Sequence, residues 1–259
     1  MRWIRMVLPA AIFAGTLRLY ALAGFDGQDA LDRVLAGAML SAVVLILVAR
    51  LRLHSGAAWT TVGHHSLGRN IREFSLGAAL WLASAAVGVG LCTALGWSSI
   101  KFATPPAQAV AALPLLALAV LLVEALPEEF AVRGWAQGLA AHHCPQWLAL
   151  LLQAALFIGM AWLAGAMQSP GQWMFLPGFA LILGYVRALS GSVWAGMGVH
   201  FAWMTTSQFL HAHTEVEGMA VLLFLAFALL PSATLGAVLG AMRPGFRWNA
   251  RQSTQPAFT

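Results

Sequence analysis

Between Leu121 and Trp135 the chain sets three carboxylates and a guanidinium into an apolar helical run: Glu124, Glu128, Glu129 and Arg133. An ionised side chain at bilayer depth costs about 2.5–3.5 kcal/mol on insertion scales unless it is paired or hydrated. Helical spacing predicts how that cost is met. Glu129 and Arg133 are i and i+4 with the acid on the N-terminal side, the favourable order for an ion pair. Glu124 and Glu128 share another face, and Glu128 sits about 100° around the helix from Glu129. One carboxylate is thereby neutralised, and the other is left to face a cavity as a general base for water. Pro127 precedes the pair, removes a backbone donor, and is expected to leave the carbonyl of Val123 without its helical partner. The same residues also fit a second reading, the charged interfacial end of a membrane helix.

The elements that position these residues follow from composition. Only 9% of the 259 residues are charged and 60% are hydrophobic, against roughly a quarter charged in soluble domains. With a mean hydropathy of +0.78, this excludes a soluble protein. Apolar runs of membrane-crossing length fall at residues 6–24, 34–48, 75–97, 107–126, 147–166, 174–189, 193–210 and 219–242. The expected fold is an all-α integral membrane protein, a bundle of about eight transmembrane helices forming one domain over residues 1–242. A polar tail, residues 243–259 with Pro244 and Pro256, is expected to be disordered. Arg2 and Arg5 before an apolar stretch resemble a signal peptide, but Arg18 interrupts it and no clean cleavage site follows, so a retained first helix is expected. The stretch from Arg50 to Arg72, with Trp59, His54, His64 and His65, is expected at the membrane surface.

The basic residues set the orientation. Alternate connections collect Arg2, Arg5, Arg50, Arg52, Arg69, Arg72, Arg133, Arg187, Arg243, Arg247 and Arg251 on one side. The other side receives Arg33 and Lys101 with Asp26, Asp29, Asp32, Glu215 and Glu217. Both termini are therefore expected in the cytoplasm, and a prokaryotic inner membrane is the expected location. The net charge of +5 is spread over helix ends rather than gathered in a patch, which argues against a nucleic-acid partner. Cys92 and Cys144 lie at different depths and form neither a metal knuckle nor a disulfide.

Glu128-Glu129-x-x-x-Arg133-Gly134 resembles the first motif of the CAAX-protease and bacteriocin-processing (CPBP, or Abi) family of intramembrane proteases. The likeness extends over about residues 107–210: the run from Leu148 to Phe157 resembles the family's next helix. Gly184-Tyr-Val-Arg187-Ala-Leu-Ser-Gly191-Ser-Val-Trp194, followed by His200, resembles its third motif region. The resemblance implies a peptidase in which Glu128 activates a water, Glu129 and Arg133 support it, and His200 is a polar partner from another helix. The implied partners are a membrane-associated peptide or protein and the lipid bilayer. No cofactor is implied with certainty, since the family's mechanism can be written without the divalent metal that glutamate and histidine could hold.

The sequence departs from the family pattern at two positions. Ala161 stands where the second motif has histidine, and Met204 stands where the third has asparagine. A lost oxyanion donor removes about 2.7–4 kcal/mol of transition-state stabilisation. Thr205, Thr206 and Gln208 are near, at imperfect angles. Two functions are therefore carried forward: an intramembrane endopeptidase, or a catalytically silent relative acting as an interaction or bacteriocin-immunity protein. A small transporter is a third reading, resting only on intramembrane charge. His211 and His213 with Glu215 and Glu217 form either a solvated connection or a metal site. His142 and His143 read as interfacial. Trp59, Trp97, Trp147, Trp173 and Trp194 read as an aromatic belt, and Gly191, Gly196 and Gly198 as close helix contacts.

Overall fold

The computed structural model describes residues 2–22 and 30–252. Asp26, Asp29 and the end of the tail with Pro256 lie outside the described residues. The architecture is all-α, with eight helices: α1 (Arg2–Leu22), α2 (Ala30–Ser55), α3 (Leu67–Ala94), α4 (Pro106–His143), α5 (Gln146–Ala164), α6 (Pro170–Ser190), α7 (Val193–His213) and α8 (Met219–Met242). Helix boundaries follow local chemistry. Ser169 and Gln172 form a capping box ahead of Pro170 at the start of α6. Gly191, at φ +70°, ends α6 in the left-handed conformation that glycine tolerates. Gly191 is thus a helix stop rather than the packing residue expected from sequence.

Among the described residues, six helices, α2 to α6 and α8, are long and apolar enough to cross a membrane. The α1 helix carries Arg5 and Arg18. The α7 helix carries His200, Thr205, Gln208 and two further histidines, but it is lined with buried residues from Val193 to Thr205. A helix shielded by neighbouring helices need not be apolar all round. The multi-pass membrane character expected from composition stands, with eight helices of which six qualify as spans among the described residues.

The core is continuous through the bundle, with Trp81, Trp135, Phe157, Phe179, Leu183 and Phe227 all buried in it. Its closest approach is between α3 and α7. A Cβ on Gly198 would strike the carbonyl of Phe74, and one on Gly77 would strike the carbonyl of Ala195. Small residues let two backbones meet where hydrophobic driving force is weak.

The two ends of the bundle differ. At one end, Ser99–Phe102 (β1) pairs antiparallel with Thr214–Glu217 (β2), Lys101 opposite Glu215. This ribbon was not anticipated, because two four-residue strands leave no periodicity to read. At the other end, the segment between α2 and α3 does not simply rest at the surface. A tight turn, Trp59–Val62, is docked on the α6–α7 junction: Arg187 Nη2 donates to the Thr61 carbonyl at 2.9 Å and Val193 N–H to Gly63 at 3.1 Å. The chain beyond α8 folds back over the same end. Gln146 N–H donates to the Ala250 carbonyl at 3.1 Å and Trp147 N–H to Trp248 at 3.2 Å, supplying acceptors for the first turn of α5. Trp248 also stacks on Tyr185.

Candidate active site

The α4 helix is 38 residues long and continues well past the expected boundary at residue 126. It is not uniformly α-helical. Its turns widen into π-helix over Leu121–Ala125 and again over Glu129–Gln137, a form that concentrates at functional sites. In the first widened segment Leu126 N–H reaches back five residues to the Leu121 carbonyl. In that register the carbonyl of Leu122 would look to residue 127, which is proline and has no N–H. The Ser41 hydroxyl on α2 donates to it instead, at 2.5 Å. The outside donor therefore serves Leu122, not Val123 as α-helical spacing predicts. Gly37, one turn before Ser41, lets α2 come close enough: a Cβ there would lie 2.7 Å from the Val123 side chain.

At the start of the second widened segment Glu128, Glu129 and Arg133 of α4 meet His200 of α7. Glu129 and Arg133 are both fully buried, and Arg133 Nη1 donates to Glu129 Oε1 at 3.1 Å. The i,i+4 pairing read from sequence is present. The guanidinium also lies over the Phe157 ring of α5, 4.3 Å from its centroid, a cation–π contact that adds to the stabilisation of a buried charge. His200 comes from α7, with Nδ1 3.1 Å from Glu129 Oε1 and Nε2 3.9 Å from Glu128 Oε2. The imidazole thus stands between the two carboxylates. If Nδ1 carries the proton toward Glu129, Nε2 presents a lone pair toward Glu128. The 3.9 Å gap exceeds a hydrogen bond but lets one water bond both atoms.

Exposure separates the roles open to these groups. The Glu128 side chain is 14% exposed, against 3% for His200 and 0% for Glu129. Only Glu128 has appreciable access to anything outside the packed interior. Two glycines make the assembly possible. A Cβ on Gly196 would lie 3.1 Å from Glu129 Oε2, and one on Gly134 would lie 3.2 Å from the Val62 carbonyl. The expected packing role holds for Gly196 and Gly198.

The third glutamate stands apart. Glu124 accepts from Gln208 Nε2 at 2.8 Å and lies 3.8 Å from Arg33, which itself donates to Gln208 at 3.0 Å. Gln208 is therefore held at Glu124. Neither the buried Ala161 nor Met204, which packs against the apolar core, has a side-chain donor to supply. Two polar atoms beside Met204 have no protein partner among the described residues: Trp203 Nε1 and Thr205 Oγ1, both buried. The Trp203 ring packs on Phe179, with centroids 3.7 Å apart, and Phe179 packs in turn edge-on against His200. Sequence reading passed over Trp203 because a tryptophan in a membrane helix reads as bulk rather than as a donor.

The remaining candidates resolve individually. Trp194 does not belong to an aromatic belt; its Nε1 donates to His64 at 3.2 Å and its ring packs on Phe130. Trp97, Trp147 and Trp173 are exposed, as a belt requires. His213 meets Thr104 at 3.2 Å, and Glu217 takes the Ser99 hydroxyl at 2.9 Å. Among the described residues no three histidine, cysteine or carboxylate side chains gather as a metal cage.

Residues 110–206 match the family model described as Rce1-like, type II CAAX prenyl endopeptidase. The match spans the acidic segment of α4, all of α5 and α6, and α7 through His200. No curated protein and no solved structure matches the chain.

Proposed function

We propose that the Rce1-like domain carried by residues 110–206 is a membrane-embedded endopeptidase, with Glu128 as its base. The observation that carries this reading is the position of His200 between a buried, ion-paired Glu129 and a reachable Glu128. Glu129, tied to Arg133, orients the imidazole through Nδ1. Nε2 and Glu128 then bind one water from two sides. Glu128 takes a proton from that water as its oxygen attacks the carbonyl carbon of the scissile peptide bond. The same proton passes to the departing amine when the tetrahedral intermediate collapses, which returns Glu128 to its starting state. The family's substrates are peptides, so a membrane-associated peptide or protein is the proposed substrate. Trp203 Nε1 is the proposed replacement for the donor absent at Met204.

A second reading is favoured by Ala161 and Met204: a protein that keeps the family fold and binds a membrane peptide without cleaving it. One experiment separates the two. Purified protein in proteoliposomes is incubated with prenylated and unprenylated membrane peptides, beside Glu128→Gln and His200→Ala. Cleavage lost in both variants supports the peptidase. Cleavage that survives both removes the mechanism, and peptide retention without cleavage by the unmodified protein favours the binding role.

A further inference from the structure

A cavity of about 470 Å³ opens at the end of the bundle where the Trp59–Val62 turn, the end of α4, the α6–α7 junction and the folded-back tail meet. Thr61, Arg69, Gln137, His142, Arg187 and Arg243 line it; neither Glu128 nor His200 does. Its three arginines come from three separate elements: α3, α6 and the segment after α8. Among the described residues no carboxylate lines the cavity, and the neighbouring Glu73 is held by Arg69 Nε at 2.8 Å.

Two of the lining side chains are almost wholly buried and still carry polar atoms without a protein partner among the described residues. Arg187 is 3% exposed and Gln137 2%. Arg187 Nη2 is held by Thr61, while its Nε has no partner; Gln137 Oε1 and His142 Nε2 are likewise unpartnered. Buried polar groups are ordinarily satisfied. Three guanidinium groups from separate elements converge on this one volume, an arrangement whose positive potential attracts an anion. The volume falls in the range of small-molecule sites, and basic pockets between membrane helices suit phosphorylated headgroups.

We propose that this cavity binds the phosphate group of an anionic ligand, supplied by a phospholipid headgroup or by free phosphate. Arg69, Arg187 and Arg243, which line the cavity, supply the positive potential that holds the phosphate. The site is independent of the proposed peptidase chemistry.

The test uses the full chain in neutral detergent. Retention of dioctanoyl phosphatidylglycerol and dioctanoyl phosphatidylcholine is read by native mass spectrometry, and inorganic phosphate is titrated in a thermal-shift assay. The variants are Arg69→Gln/Arg243→Gln, with Arg243→Gln alone should the double variant not fold. Arg50→Gln, an exposed arginine outside the cavity, is the control. Phosphatidylglycerol is expected to be retained over phosphatidylcholine, with a loss of about tenfold in the cavity variants and none in the control. Stabilisation by inorganic phosphate that disappears in the same variants, without lipid preference, supports the site with free phosphate as the source. Responses to lipid and phosphate that are equal in the unmodified protein and the cavity variants overturn it.

Discussion

His200 and Glu128 confront each other across 3.9 Å, Nε2 to Oε2, although they lie on different helices and 72 residues apart in the chain. Glu129 fixes the imidazole from its other side, so the separation is set by packing and not by a direct bond. That arrangement makes Glu128 the group whose removal should alter chemistry with the least effect on folding. Glu128→Gln is expected to reduce cleavage by about 10²–10⁴-fold, the usual worth of a general base, with the unfolding temperature nearly unchanged. Parallel activity and thermal-unfolding measurements check both halves.

Glu129 should behave in the opposite way. Glu129→Ala leaves the fully buried Arg133 without its carboxylate, and breaking such a pair costs about 3–5 kcal/mol. The expected outcome is a large fall in thermal stability in detergent, partly recovered in Glu129→Ala/Arg133→Met. A double variant no more stable than the single one would show that the pair's charge balance is not what holds this region.

The link between Ser41 and Leu122 predicts a non-additive pair. Ser41→Ala removes the outside donor at the Leu122 carbonyl and should cost about 1–3 kcal/mol. Pro127→Ala restores a backbone N–H at the position that carbonyl would otherwise use. In the Pro127→Ala background the cost of Ser41→Ala should shrink, which a double-mutant cycle measures directly. An unchanged cost would mean the widened turn persists without proline.

Gly198→Ala sets a Cβ against the Phe74 carbonyl, which is backbone and cannot swing aside. Overpacking of this kind costs about 1–3 kcal/mol. Separation of α3 from α7 is then expected, read as a loss of crosslinking between cysteines placed on the two helices.

Cys144 lies between α4 and α5, where burial pushes its thiol up from the ordinary range, slightly offset by the nearby Arg251. Its Sγ donates to the Ala140 carbonyl at 3.1 Å. Since the thiolate is the reactive form, maleimide labelling in the folded protein should be slow at neutral pH. Labelling should accelerate only at a higher pH than for Cys144 in the unfolded chain. Equal rates in the folded and unfolded protein would contradict this burial.

Sequence spacing made much of the candidate site's geometry legible. The Glu129–Arg133 pair is visible because acid and base four residues apart meet in either a normal or a widened helical turn, and the exposure of Glu128 follows from its different angle. His200 could be assigned only through its resemblance to a family motif; its imidazole meets Glu129 and faces Glu128 where Gly196 lets α7 lie close to the Glu129 carboxylate, and no local pattern encodes that distance. The widened register around Pro127 also escaped, since apolar residues fit either helical form. The commitment of Gln208 to Glu124, and the docking of the Trp59–Val62 turn on the α6–α7 junction, depend on pairings between distant segments.

The folded-back chain after α8 bears on how the protein is made. Gln146 and Trp147 stand at the entrance to α5, yet the carbonyls that complete their hydrogen bonds belong to Ala250 and Trp248. Ribosomal synthesis delivers those residues about a hundred positions later. Until they emerge, the entrance to α5 has to rely on water or an insertion factor for its unsatisfied amides. A chain stalled or truncated before residue 248 would therefore hold all eight helices and still present an unfinished end to the quality-control machinery of the membrane.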